Sequence, residues 1–178
     1  NADESLPWKY RAGRLNTTDA RAETGTYFAD TAPTNTVFKV EGNSEVNGSG
    51  DAMIAYCFHS VKGFSKVGKY IGNASADGPF CYTGFKPAFV LYKKVSSSGD
   101  NWVIQDDKRE GFNPNNRRLY PNDTSAENTS SFRIDMLSNG FKLNNSDADS
   151  NANGETFIYL AFAAEPLVAS NGTPATAK

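Results

Sequence analysis

One pattern occurs twice in this chain. Asn47-Gly48-Ser49-Gly50, followed by Ile54 and Phe58, returns 104 residues later as Asn151-Ala152-Asn153-Gly154, followed by Ile158 and Phe162. Upstream, Val37-Phe38-Lys39-Val40 corresponds to Gly140-Phe141-Lys142-Leu143 at a spacing of 103. Arg14-Leu15 and Ala22-Glu23 likewise correspond to Arg118-Leu119 and Ala126-Glu127. A repeat of this kind constrains the fold strongly, because each copy carries the same apolar face and each must bury it. The copies are unequal in what precedes them. About 50 residues with several strand signals lead into the later copy, and only nine residues stand before Tyr10. The expected organisation is an N-terminal tail over 1–9 and the second half of a first unit over 10–62. A complete unit follows over 63–168, then a flexible C-terminal tail over 169–178.

Helix signals are nearly absent. Short apolar runs rich in aromatic and β-branched residues are fenced by Gly, Asn, Asp, Ser and Pro, which is the pattern of an all-β chain. Strands are predicted at 36–40, 52–58, 64–71, 88–93, 102–106, 117–120, 132–137, 140–143 and 156–162, with one helical turn at 125–129. Met53-Ile54-Ala55-Tyr56-Cys57-Phe58 and Phe157-Ile158-Tyr159-Leu160-Ala161-Phe162 are apolar on both faces, as a central strand covered on each side would be. With the repeat, these signals predict an antiparallel, jelly-roll-like β-sandwich in which 10–62 packs onto the complete unit. Phe38, Phe58, Phe141 and Phe162 should then all point inward.

Composition narrows the chemistry. The 18 Lys+Arg and 20 Asp+Glu leave a formal net charge of -2, so no basic footprint for nucleic acid is visible in the totals. No apolar run reaches the roughly 18–20 residues of a spanning helix, and no membrane insertion is expected. A single His and two Cys exclude mechanisms that need two histidines, as well as Cys/His zinc sets. Cys57 and Cys81 read as reduced, small apolar residues rather than a disulfide. Cys57 and His59 alternate onto one strand face, but the repeat aligns them with Ala161 and Ala163, so packing is the expected role rather than a catalytic dyad. No catalytic residue and no cofactor is expected.

Binding residues are better represented. Aromatics near the turn 76–85 and the donor-rich loop 113–118 form a candidate recognition surface, with Asp77, Phe80, Tyr82, Asn113, Asn115 and Arg117 as its ligand-binding residues. Asp147 and Asp149 stand in a polar loop, 144–151, whose first reading is solvated turn. A calcium site built from their oxygens is the second reading, although the EF-hand spacing is absent.

The segments Gly48-Ser49-Gly50-Asp51, Val61-Lys62-Gly63-Phe64-Ser65-Lys66-Val67-Gly68-Lys69-Tyr70, Asp77-Gly78-Pro79-Phe80 and Gly84-Phe85-Lys86-Pro87-Ala88-Phe89-Val90 carry a further indication. So do Asn101-Trp102-Val103-Ile104, Leu119-Tyr120-Pro121-Asn122 and Asp135-Met136-Leu137-Ser138-Asn139-Gly140-Phe141-Lys142-Leu143. Together they resemble a domain found at the ends of tail-fibre and other virion proteins of marine tailed phages. The resemblance spans about 10–168. It implies a non-enzymatic virion protein, a tail-fibre or surface domain for host attachment, with host cell-surface glycan as a ligand that the aromatic and amide-rich loops allow. It also implies a homotrimer and contacts with other virion proteins. A purely structural decoration or connector protein is the alternative. A polysaccharide hydrolase or lyase is a third reading, and it needs carboxylates converging in a groove.

Overall fold

A computed structural model describes residues 12–21, 27–130, 133–168 and 174–176. The described strands form two small sheets on one core. β1 (Ser65–Ile71), β3 (Pro87–Lys94), β4 (Val103–Asp106) and β7 (Thr156–Ala163) make a four-stranded antiparallel sheet in the order β1-β7-β3-β4. β2 (Phe80–Tyr82), β5 (Ile134–Leu137) and β6 (Gly140–Leu143) make a three-stranded sheet in the order β2-β6-β5. A hairpin of β8 (Pro166–Val168) and β9 (Pro174–Thr176) follows. Two one-turn helices, α1 (Ser44–Asn47) and α2 (Ala148–Asn151), complete the described elements.

Period-two alternation explains which side of each strand is buried. β7 sends Phe157, Tyr159, Ala161 and Ala163 into the core, where Tyr70, Val90, Tyr92 and Val103 join them. From the three-stranded sheet come Cys81, Ile134, Met136, Phe141 and Leu143. The two sets meet ring against ring. Phe141 lies edge-on to Tyr159 at 5.1 Å and to Tyr70 at 6.3 Å, and within the four-stranded sheet Tyr70 stacks on Phe157 at 4.9 Å. The other face of the four-stranded sheet is also apolar. Its register brings Val67, Leu160, Leu91 and Ile104 into one row across all four strands.

The predicted jelly-roll-like sandwich is not what forms. The chain has a mixed fold of two small open sheets with α1 and α2 beside them, and neither sheet closes. The cause lies in residues 28–62. Of the predicted strand 36–40, Val40 alone pairs, in an isolated bridge to Phe28. The predicted central strand 52–58 pairs with nothing described, and every residue from 51 to 60 is exposed. Phe38 and Phe58 are therefore exposed, and Phe162, alternating with the buried Ala161 and Ala163, lies on the outer face of β7; of the four rings expected inside, Phe141 alone points inward. Residues 118–119 contribute single bridges, and the predicted turn of helix at 125–129 is replaced by an Arg118–Asn128 bridge. The predicted start of β5 at 132 and the tail 1–9 lie outside the described residues.

The two copies nonetheless share local geometry. α1 and α2 stand 104 residues apart, each N-capped by a side chain, Asn43 or Asp147, accepting from the amide two residues on. Gly50 and Gly154 both take a left-handed φ, at 82° and 73°. Arg14 pairs with Glu45 at 2.9 Å, and at the corresponding positions Arg118 pairs with Asp149 at 3.4 Å. The chain thus reaches 51–60 through the same turn that leads into β7.

Candidate functional site

β2 presents two aromatic rings to solvent. Cys81 turns into the core, where burial pushes its thiol up to about 12, so it stays an unreactive thiol at neutral pH. Alternation then forces Phe80 and Tyr82 outward, and they are 46% and 63% exposed. Phe80 pairs across the sheet with Lys142, which pairs with Asp135, so one row runs aromatic, cation, carboxylate. Tyr82 pairs with Gly140. A side chain at Gly140 would begin 2.2 Å from the Cys81 carbonyl oxygen and 2.8 Å from the Phe80 ring. The glycine therefore leaves room for the Phe80 ring edge and the Cys81 carbonyl at that point.

Polar groups frame these rings. Lys142 Nζ holds the Asp77 carboxylate and keeps that carboxyl below its usual range. The Asn144 amide donates to Asp135 at 2.6 Å. Beyond Asn144 opens a groove of about 500 Å³ lined by Ala76, Arg133, Asn144, Asn145, Ser146, Asp147 and Ala148. Its walls are pinned from below by Asn151, which is fully buried. The Asn151 amide donates to Asn73 Oδ1 at 3.0 Å, the Ser75 carbonyl at 2.9 Å and the Asn145 carbonyl at 2.7 Å, while its own oxygen accepts from the Asn73 amide at 2.8 Å. Tyr70 and Ser150 extend the network through a 2.8 Å bond from the phenol to the Ser150 carbonyl. A buried amide satisfied on all sides fixes the two loops in one arrangement.

The structure separates the six residues expected to bind ligand. Asp77, Phe80 and Tyr82 sit together on the outer side of the three-stranded sheet. Asn113, Asn115 and Arg117 lie beyond β5 and serve the framework. Asn113 brackets Met136, donating to its carbonyl and accepting from its amide, each at 3.0 Å. Asn115 is buried and bridges to Ile134, with its side-chain amide on the Asp106 carbonyl. Arg117 spans Glu110 at 2.9 Å and Glu127 at 2.8 Å. Lys142, Asn144, Arg133 and Asn151 escaped the sequence reading. The Asn-rich run 144–151 was the available signal, and its reading as solvated turn fails because Asn145, Ser150 and Asn151 are buried.

Asp147 and Asp149 face a cation that the chain supplies itself. The buried Arg118 guanidinium stands 3.6 Å and 3.4 Å from their carboxylates and 4.8 Å over the Tyr120 ring. Among the described residues no cluster of three or more His, Cys, Asp or Glu has metal-binding geometry. Both cysteines are free thiols, and Cys57, expected in the core, is exposed. His59 is exposed as well, with Nδ1 3.1 Å from the Ser60 carbonyl. Among the described residues no helix is long and apolar enough to cross a membrane.

No curated protein and no solved structure matches this chain. A family model does match, over residues 4–166, and its family is described as a domain of unknown function, DUF7483. With nearly the whole sequence matched, the chain belongs to that family.

Proposed function

We propose that this chain is a non-enzymatic recognition domain of a phage virion, and that it attaches the particle to host cell-surface glycan through the outer side of its three-stranded sheet. The observation that carries the binding part is the pair Phe80 and Tyr82, two rings exposed two residues apart on one strand, beside Lys142, Asp77, Asp135 and Asn144. Sugar rings present C–H faces that pack on aromatic rings, and hydroxyls that hydrogen-bond to carboxylates, amides and ammonium groups. The virion part rests on the tail-fibre resemblance of residues 10–168. The carboxylates near the groove are held by cations and amides in an arrangement suited to binding: Asp77 by Lys142, Asp135 by Asn144, and Asp147 by Arg118.

A glycan array probed with the full chain tests this reading. Binding should fall roughly tenfold or more in Tyr82→Ala and Phe80→Ala, the scale expected for losing a stacked ring and its contact area. The thermal midpoint should hold, because both rings are exposed. An array without signal, or a signal indifferent to both substitutions, rejects glycan attachment at this face. The alternative, a structural connector that touches only other virion proteins, is favoured by one observation, the exposed apolar segment 51–60.

A further inference from the structure

Residues 51–60 form the most exposed apolar stretch of the described chain. Ile54 and Tyr56 are 82% and 80% exposed, and Met53 and Phe58 also face solvent. No turn, bend or helix interrupts the segment, and residues 52–58 make no hydrogen bond with any described residue. An exposed, uncapped apolar segment of this composition is a template for pairing with another chain. Its counterpart in the repeat, β7, is hydrogen-bonded on both sides, by β1 and β3. The segment thus has the sequence of a doubly covered strand, and among the described residues no strand lies beside it on either side.

The segment is kept off its own sheet. The chain turns back at a Val61–Ser65 bridge, which would start a hairpin with β1. The hairpin stops there. The Ser60 hydroxyl lies on both the Val67 amide, at 3.1 Å, and the Val67 carbonyl, at 3.4 Å, while the Ser65 hydroxyl takes the His59 carbonyl at 2.7 Å. Phe58 leans instead onto the outer face of the sheet, edge-on to Phe162 with ring centres 6.0 Å apart. Through that contact the segment adjoins the apolar row Val67, Leu160, Leu91 and Ile104.

We infer that residues 52–59 are covered by the same segment of a second copy of this chain, the two strands pairing antiparallel about a two-fold axis with the outer faces of their four-stranded sheets alongside. Three features select a second copy. β3 is paired on both sides, by β7 and β4, and the outer edge of β1 is met at Val67 by the Ser60 hydroxyl, which holds the segment off the one strand edge of this sheet that it adjoins. Residues 52–58 are a described apolar segment of strand length with no hydrogen bond on either side, so the unmatched element of one molecule fits the unmatched element of the next. From Ala52 to Ser60 there is no Asp, Glu, Lys or Arg, so two copies meet without charge repulsion, and a two-fold contact needs only one self-complementary patch.

The test is the mass in solution of the full chain, by sedimentation and light scattering, from low to several hundred micromolar. The expected result is a dimer that dissociates on dilution. The double substitution I54K/Y56K should be monomeric throughout with the thermal midpoint of the dilute wild type, since both positions are exposed. A nitroxide on Cys57 should report a second label within about 20 Å in the dimer, because paired strands lie about 4.8 Å apart and the offset spans only a few residues. Cys81, being buried, stays unlabelled. A wild type that stays monomeric overturns the inference, and protection of the 53–59 amides in that monomer would mean that the segment folds back on β1. A trimeric mass, or an oligomer indifferent to I54K/Y56K, overturns it equally. None of these outcomes bears on glycan binding at β2, so the two proposals fail separately.

Discussion

Asp149 shows how one side chain can carry a pH dependence through a fold with little other chemistry. It sits in α2, one-quarter exposed, and its carboxyl is raised to about 6. Burial is the first cause; a hydrogen bond to the Asp100 carboxyl and the charge of Asp147 add to it, and Arg118 opposes them. A folded value above the ordinary carboxylate range means that the folded state holds the proton more tightly than the unfolded chain does. The stabilisation from this group is fully present below about pH 4 and is lost as pH rises to about 6, an amount on the order of 2–3 kcal/mol. Asp149→Asn imitates the neutral form. Denaturation midpoints between pH 4 and 6.5 should therefore fall less with rising pH in Asp149→Asn than in the wild type. Parallel curves would mean that Asp149 ionises normally in the fold. The Asp147/Asp149 pair was visible in the sequence, but the burial and the Asp100 carboxyl that raise Asp149 were not, since they come from packing and from a distant part of the chain.

At the scale of elements, legibility followed the number of neighbours each strand has. β1, β3, β4, β6 and β7 lie where alternation and turn residues put them, because a strand with its own partners in the chain obeys its own pattern. Residues 52–58 have the pattern of β7 without its neighbours, and they are bare. The contrast is measurable. Phe141, fully buried between Tyr70 and Tyr159, should cost about 3–5 kcal/mol when cut to Ala. Phe58, whose core placement was expected from the same repeat, is 59% exposed, and Phe58→Ala should cost well under half as much in the dilute chain. Urea titrations of both variants decide this, and equal losses would put Phe58 back in the core. β2 escaped prediction because three residues are too few to show a period. With it went half of the recognition surface: the rings Phe80 and Tyr82 were visible in the sequence, whereas Lys142 and Gly140 reach them only through the β2–β6 register.

For the whole molecule, hydrogen exchange gives the most direct check. In a dilute sample the amides of β7, which lies inside the sheet between β1 and β3, should be the slowest to exchange and those of 52–58 among the fastest. Uniform protection across the two would show that the repeat copies are built alike after all. The repeat was readable from residue spacing, whereas the similar N-caps at α1 and α2, Asn43 and Asp147, were not. The closed sandwich drawn from it was not correct, because spacing says which segments are related and not whether each has something to pair with. The bracketing of Met136 by Asn113 bears on this last point. Together with the Asn115–Ile134 bridge, it occupies the outer rim of β5 with side chain and loop; Leu119 does the same for β4 at Ile104, and the Ser60 hydroxyl for β1 at Val67. β2, three residues long, offers little to a newcomer. If the described rims are blunted in this way and 52–59 pairs as inferred, the described part of the molecule has a valency of one. Its association stops at a discrete particle, and concentrating the protein should yield more of that particle rather than filaments.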